Sequence, residues 1–434
     1  MINIRILTTL ILLAITLNSF SWKNDKTLTF NTFFEDKTLR IDFLLNGDAY
    51  SEEFILKELK KQSIWAGPKR LPNGYDLDLG TYRIQIYDSA SNQLIYKNGF
   101  CSLFNEYQMT EKAKTTKESY YHVNLIPFPK STIKYVLEKR KWDDGKFYSL
   151  KELIINPKNY FILEEAATPY KHTQIQGDNN INNKIDIAFL AEGYTKNEMK
   201  KFRSDVKRIW NYMSSIPPFD AYRGKFNVYA VECPSLESGT DIPGEHIYRN
   251  TILNSSFYTF NTDRYLTTRD LKSLHDVAAS VPYDQLFVIV NSSEYGGGGF
   301  YNYYSATTAD HEYSLKVAIH EFGHGFAGLA DEYYSSDVAY EGFYNLKTEP
   351  WEPNITTLVD FDKKWKSQIS EGIEIPTERT YSLKDSVGVF EGGGYSEKGI
   401  YSPFQDCRMK SNVPKSFCPV CSEGIKRVIE YYTE

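Results

Sequence analysis

Two histidines stand four residues apart with a glutamate between them, in the run Ser314-Leu315-Lys316-Val317-Ala318-Ile319-His320-Glu321-Phe322-Gly323-His324. On a helix, residues four apart project from one face, one turn apart, so both imidazoles can reach a single ion. Leu315, Ile319, Phe322 and Phe326 then fall on the roughly opposite side. The same helix can therefore pack into a core and present ligands. Glu321 lies beside the ligand face, within reach of a metal-held water. With seven histidines in 434 residues, chance would produce this pattern about once in a hundred such chains, so it reads as a site.

Two histidines do not complete a catalytic zinc centre, which takes three protein ligands and keeps one position open. Downstream runs Gly325-Phe326-Ala327-Gly328-Leu329-Ala330-Asp331-Glu332-Tyr333-Tyr334. Gly328 can adopt the positive φ that ends a helix and turns the chain back. Asp331, three residues on, would then come round to the metal, since a carboxylate oxygen is an acceptable zinc ligand. Glu332 is the competitor, and a solvated acidic pair is the plain alternative to both.

The pattern resembles the metzincins, in which His-Glu-x-x-His-x-x-Gly-x-x-His (or Asp in the last place) precedes a tight turn with Met beneath the metal. Here Gly328 and Asp331 each lie one residue beyond that spacing. The counterpart of the methionine turn is Asp406-Cys407-Arg408-Met409-Lys410-Ser411. The shifted spacing is similar to metallopeptidase family sixty-four, the IgA-peptidase type. So are Phe189-Leu190-Ala191-Glu192-Gly193-Tyr194-Thr195, Tyr295-Gly296-Gly297, Glu391-Gly392-Gly393-Gly394-Tyr395 and Phe417-Cys418-Pro419-Val420-Cys421. The resemblance covers roughly residues 170 to 434 and implies one catalytic zinc, proteolysis and export. Its metal ligands here would be His320, His324 and Asp331. Glu321 would take a proton from water made acidic by the ion and pass it to the leaving amine. Tyr395 is the family-like donor to the oxyanion, with Tyr333 and Tyr334 as alternatives. Met409 would floor the site.

The elements that must position these residues fall into two textures. Residues 27 to 130 alternate in the strand manner, as in Tyr82-Arg83-Ile84-Gln85-Ile86-Tyr87, with polar breaks such as Leu71-Pro72-Asn73-Gly74. An antiparallel β-sandwich accessory domain is expected over residues 22–165. From about residue 170 apolar strands alternate with helical patterns: strands at 185–190, 225–231 and 285–291, helices at 197–214 and 271–279. That predicts an α/β, metzincin-like catalytic domain over 170–434 with a largely parallel sheet. Gly296 to Gly299 reads as a turning loop, or as an edge for substrate.

Met1 to Arg5 followed by the apolar run Ile6 to Leu17 and Ser19-Phe20-Ser21 reads as a signal peptide over residues 1–21. Export is expected, to the periplasm, the cell surface or the medium, with no later membrane span. The net charge of -6 is interspersed and no long basic run occurs, which argues against nucleic acid as a partner. Protein or peptide substrates are the expected partners. In an oxidising compartment a bridge from Cys407 to Cys418 or Cys421 is expected. A zinc ribbon is not, because Cys418-Pro419-Val420-Cys421 has no second such pair. Two rival readings stand beside the peptidase: a catalytically inactive binding or adhesion protein, and a zinc amidase acting on cell-wall peptides.

Overall fold

The computed structural model describes residues 28–72, 77–164, 170–178, 180–334 and 342–434. The leader expected over residues 1–21 lies outside them, as do residues 165–169 between the two expected domains and Asn73-Gly74 of the expected turn.

The N-terminal part is built on alternation. Tyr82–Asp88 buries every second residue, the pattern of a strand with one face on a core. Two four-stranded sheets result. One orders Glu118–Pro129, Phe34–Gly47, Glu52–Gln62 and Ile162–Leu163; the other orders Leu94–Phe100, Tyr82–Asp88, Ile133–Arg140 and Phe147–Ile155. Pairing is antiparallel except where Leu59 and Lys60 meet Ile162 and Leu163 in parallel. Phe43 stacks on Phe54 with ring centroids 4.6 Å apart, and Phe54 reaches Tyr135 of the other sheet at 6.4 Å.

The second part is a mixed six-stranded sheet. Its strands are β1 (Lys171–Gln176), β2 (Ile185–Glu192), β3 (Phe226–Glu232), β4 (Gln285–Val290), β5 (Gly297–Phe300) and β6 (Tyr304–Thr308), in the order β5-β6-β4-β2-β3-β1. β2, β3, β4 and β6 are parallel, and their residues are buried throughout, as strands covered on both faces must be. β1 and β5 run antiparallel at the two edges. Four longer helices accompany the sheet: α1 (Met199–Met213), α2 (Leu271–Ala278), α3 (Ser314–Ala327) and α4 (Pro419–Thr433).

Two expectations need correction here. The glycines at 297–299 form edge strand β5 rather than a loop. A run of glycine looks like a turn in sequence, but the β5 backbone packs directly against α3: a Cβ on Gly299 would stand 2.3 Å from the Glu321 carbonyl oxygen. Nor is there a disulfide. Cys407, Cys418 and Cys421 are all free thiols, with Cys407 Sγ 3.8 Å from Cys421 Sγ, well beyond the roughly 2.05 Å of an S–S bond. The three sulfurs share their pocket with the buried Glu332 carboxylate, which accepts from the Cys421 thiol.

The two parts are joined close to β5. Cys101 N–H donates to the Tyr301 carbonyl at 2.8 Å, and Asn302 Nδ2 donates to the Gly99 carbonyl at 2.9 Å. Further off, buried Arg40 pairs with Asp42 at 2.7 Å and reaches Asp276 of α2 at 2.6 Å. Among the described residues no helix is long and apolar enough to cross a membrane.

Candidate active site

Helix α3 carries the centre. Val317, Ala318, Ile319, Phe322 and Phe326 are buried, and the Phe322 and Phe326 rings stack at 5.0 Å. Phe322 also packs on Phe219 and on Phe287 of β4, at 5.6 and 6.1 Å. Burying each such ring stabilises the fold by about 1.5–3 kcal/mol, which fixes the helix rotation. His320 and His324 are thereby turned to the opposite side, toward the cleft.

The helix stops at Gly328, where φ is +61°. That left-handed conformation favours glycine. The reversed chain satisfies the last turn: Gly328 N–H donates to the His324 carbonyl at 3.0 Å and Leu329 N–H to the Gly323 carbonyl at 3.2 Å. The turn then delivers Asp331 to the histidines. Its Oδ1 lies 3.0 Å from His320 Nε2 and 3.3 Å from His324 Nε2, while the two Nε2 atoms are 3.1 Å apart. Glu332, the competing carboxylate, points elsewhere: its Oε1 accepts from Asn354 Nδ2 and from the Cys421 thiol, both at 3.0 Å.

The outer nitrogens decide what the inner ones can do. His320 Nδ1 bonds the Arg408 carbonyl at 3.0 Å and His324 Nδ1 bonds the Leu329 carbonyl at 2.5 Å. A carbonyl only accepts, so each Nδ1 carries a proton, and each ring in its neutral form has its lone pair at Nε2. Asp331 Oδ1 is itself buried without a hydrogen-bond partner. With both rings neutral, three electron-rich atoms converge on one point, which a proton or a metal cation can occupy. The side chains of His320 and His324 are 16% and 15% exposed against 4% for Asp331, so the cluster opens toward the cleft.

Other residues surround this point. Tyr395 OH donates to Asp331 Oδ2 at 2.5 Å. Tyr395 sits with Gly394 at positive φ in the two-residue connection of the hairpin formed by Phe390–Gly393 and Ser396–Ser402. For a tyrosine this backbone is strained, and such strain gathers at functional sites. The hairpin is tied to the segment that carries Asp331: Gly394 N–H donates to the Asp331 carbonyl at 2.8 Å and Tyr395 N–H to the Tyr333 carbonyl at 3.0 Å. Burial pushes the Tyr333 phenol well up, and the Asp331 carboxylate lies close enough to add to that push, whereas Tyr334 is 37% exposed and packs on Gly392. Met409 is fully buried, and a Cβ on Gly323 would stand 2.7 Å from its Sδ. It lies under the helix turn that separates the histidines.

The charges follow from this crowding. Burial works against ionising Asp331, but the two imidazoles overcome it and hold the carboxyl well below its usual range. Burial likewise disfavours charged histidine, yet Asp331 and Glu321 push His324 up to about 9. Burial raises the Glu321 carboxyl, and the histidines pull it only part of the way back. Glu321 lines a cleft of ≈ 460 Å³ together with the histidines, Asp331, Tyr395, strand β5 and Arg264. Cys101 and Glu106 of the N-terminal part line it too.

A family model described as IgA Peptidase M64 matches residues 173–385 and 378–429, well over half of the chain. The chain belongs to this family. A second model, Peptidase M64 N-terminus, matches residues 29–150, so the β-rich part is the family's own N-terminal domain. A search of curated proteins finds no match. Membership makes this a peptidase, hence a hydrolase with protein substrates, of a metallopeptidase family. Zinc is the usual metal of such enzymes, and two neutral imidazoles with one carboxylate are a donor set that zinc takes.

The raised histidine has a measurable consequence. In metal-free protein carrying isotope-labelled histidine, one ring should stay protonated through neutral pH and titrate near about 9, since a raised value keeps the proton on until pH climbs through it. Adding zinc at neutral pH should strip that proton, because ligation uses the same lone pair. Titration of both cluster rings near the unperturbed value of about 6.5 would contradict the geometry.

Sequence reading did not find the cleft wall supplied by Cys101 and Glu106, nor Arg264, whose positive charge is felt by Glu321. No local signal marks them, because they become neighbours only through long-range packing.

Proposed function

We propose that this M64 peptidase is an exported zinc endopeptidase in which His320, His324 and Asp331 hold one ion and Glu321 is the general base. One observation carries the reading: His320 Nε2, His324 Nε2 and Asp331 Oδ1 converge within 3.0–3.3 Å of one another, beside the half-buried Glu321 carboxylate, in an open cleft. The shape of a metzincin-like domain, with a ligand helix, a glycine bend and a buried methionine below, is part of the same proposal. Export rests on the apolar run after Met1.

When bound, the ion would supply Lewis acidity, polarising the scissile carbonyl and making water acidic enough to attack near neutral pH. The protein's own groups do the rest. The carbonyls of Arg408 and Leu329 hold both rings in the tautomer that leaves Nε2 free. Glu321 accepts the proton of the attacking water and delivers it to the departing amine. Tyr395, which lines the cleft and donates to Asp331, would turn its hydroxyl to the developing oxyanion, where such a donor stabilises charge. Residues of strand β5 line the cleft and would border a bound peptide.

Purified protein incubated with casein, immunoglobulin A, mucin and peptidoglycan tests the reading. Cleavage of one or more of the proteins is expected, abolished by a chelator and restored by zinc. Immunoglobulin A belongs in the panel because the family description names it. Release of products from peptidoglycan alone would make the protein an amidase. Metal uptake with no hydrolysis of any substrate would make it a binding protein.

A further inference from the structure

A second cluster of metal-ligating side chains lies apart from the histidines. Glu332, Cys407, Cys418 and Cys421 are all buried, and one ligand atom from each falls within 4.8 Å of the others. Cys407 Sγ and Cys421 Sγ are 3.8 Å apart, and Cys421 Sγ is 3.0 Å from Glu332 Oε1. Two sulfurs each at the Zn–S distance of about 2.3 Å in a tetrahedron stand about 3.8 Å apart, so the observed spacing suits a shared ion and not a bond between them.

Two further observations point to a ligand. Glu332 is 0% exposed, yet its Oε2 has no hydrogen-bond partner, an expensive state for a buried carboxylate unless something positive meets it. The sulfurs also accept backbone hydrogen bonds: Cys418 N–H reaches Cys407 Sγ at 3.2 Å, and Cys421 N–H reaches Cys418 Sγ at 3.5 Å. Cys418 caps the 15-residue helix α4, with Pro419 in the first turn. Its sulfur therefore faces the end of the helix that favours negative charge.

We propose that Glu332, Cys407, Cys418 and Cys421 hold a second, structural zinc ion in a closed four-ligand site. Thiolates select soft or borderline metals, and a four-coordinate set with no open position is the structural form. The ion would tie together three segments that build the peptidase centre. Glu332 follows Asp331 directly, and its N–H donates to the Met409 carbonyl at 2.8 Å. Cys407 precedes Arg408, whose carbonyl holds His320. Cys418 and Cys421 anchor α4 to both.

The test uses the full chain purified without reductant. Two zinc equivalents per chain are expected, and the double variant His320→Ala/His324→Ala should keep one. With cobalt(II) in place of zinc, both proteins should show the intense near-ultraviolet absorption of thiolate-to-metal charge transfer. The band should vanish in Cys418→Ser/Cys421→Ser. After denaturation in chelator all five cysteines should titrate as thiols, whereas a bridge would remove two of them. That thiol count and the unmodified protein's cobalt spectrum decide the matter even if the cysteine variant does not fold. A missing charge-transfer band, a bridge in the thiol count, or no metal left in the double-histidine variant would each overturn the proposal. The double-histidine variant separates the two sites, since it removes the cleft ion alone.

Discussion

Glu321→Gln is expected to leave metal content and fold unchanged and to slow peptide hydrolysis by about 10²–10⁴-fold, the usual contribution of a positioned general base. The substitution keeps the size of the side chain and removes only its capacity to take a proton. Glu321 lies beside the proposed ligands without being one of them: the three converging atoms belong to His320, His324 and Asp331. Desolvation raises the Glu321 carboxyl above its ordinary value, and its histidine neighbours lower it only part of the way back. The loss should appear in kcat with little change in KM, because the missing interaction belongs to the transition state. A Gln variant retaining most of its activity would remove Glu321 from the mechanism.

Asp331→Asn should have the larger effect on metal. The carboxylate is the one anionic member of the cleft set, and its Oδ1 stands 3.0 and 3.3 Å from the two Nε2 atoms. An amide leaves the shape but takes away the charge that draws the ion in and holds His324 protonated without it. Zinc affinity of the cleft should fall by more than the roughly 10–100-fold typical of changes behind the ligands, and activity should fall with it at limiting zinc. Glu332→Gln is the control, since Glu332 faces the cysteines and Asn354 and should leave the cleft ion in place. Competition with a chromophoric chelator measures both variants. Cleft-metal loss in the Glu332 variant and retention in the Asp331 variant would reverse the assignment.

Much of the centre was legible because it is local. The four-residue histidine spacing, the apolar stripe opposite it and the glycine that ends the helix lie within one short run, and helical geometry alone turns them into two aligned imidazoles and a returning carboxylate. Fully apolar strands such as Ile185–Glu192 were legible for a similar reason: only a strand covered on both faces reads that way. What sequence misread depends on distant neighbours. The glycines of β5 look like a loop until α3 is seen lying against them. The C-terminal cysteines look like a bridge until Glu332, some 75 residues earlier in the chain, is found among them. Tyr395 in its strained turn was legible only through family likeness, since nothing in its own segment shows that the hairpin pairs with residues 331–333.

Anomalous diffraction at the zinc edge from crystals of the zinc-loaded protein is the most direct measurement. The expected result is a peak in the cleft with His320 Nε2 and His324 Nε2 at about 2.0–2.1 Å and an Asp331 oxygen at about 2.0–2.2 Å, with one position facing Glu321. A cleft without that peak, or an ion there held while any one of these three side chains points away, would contradict the account.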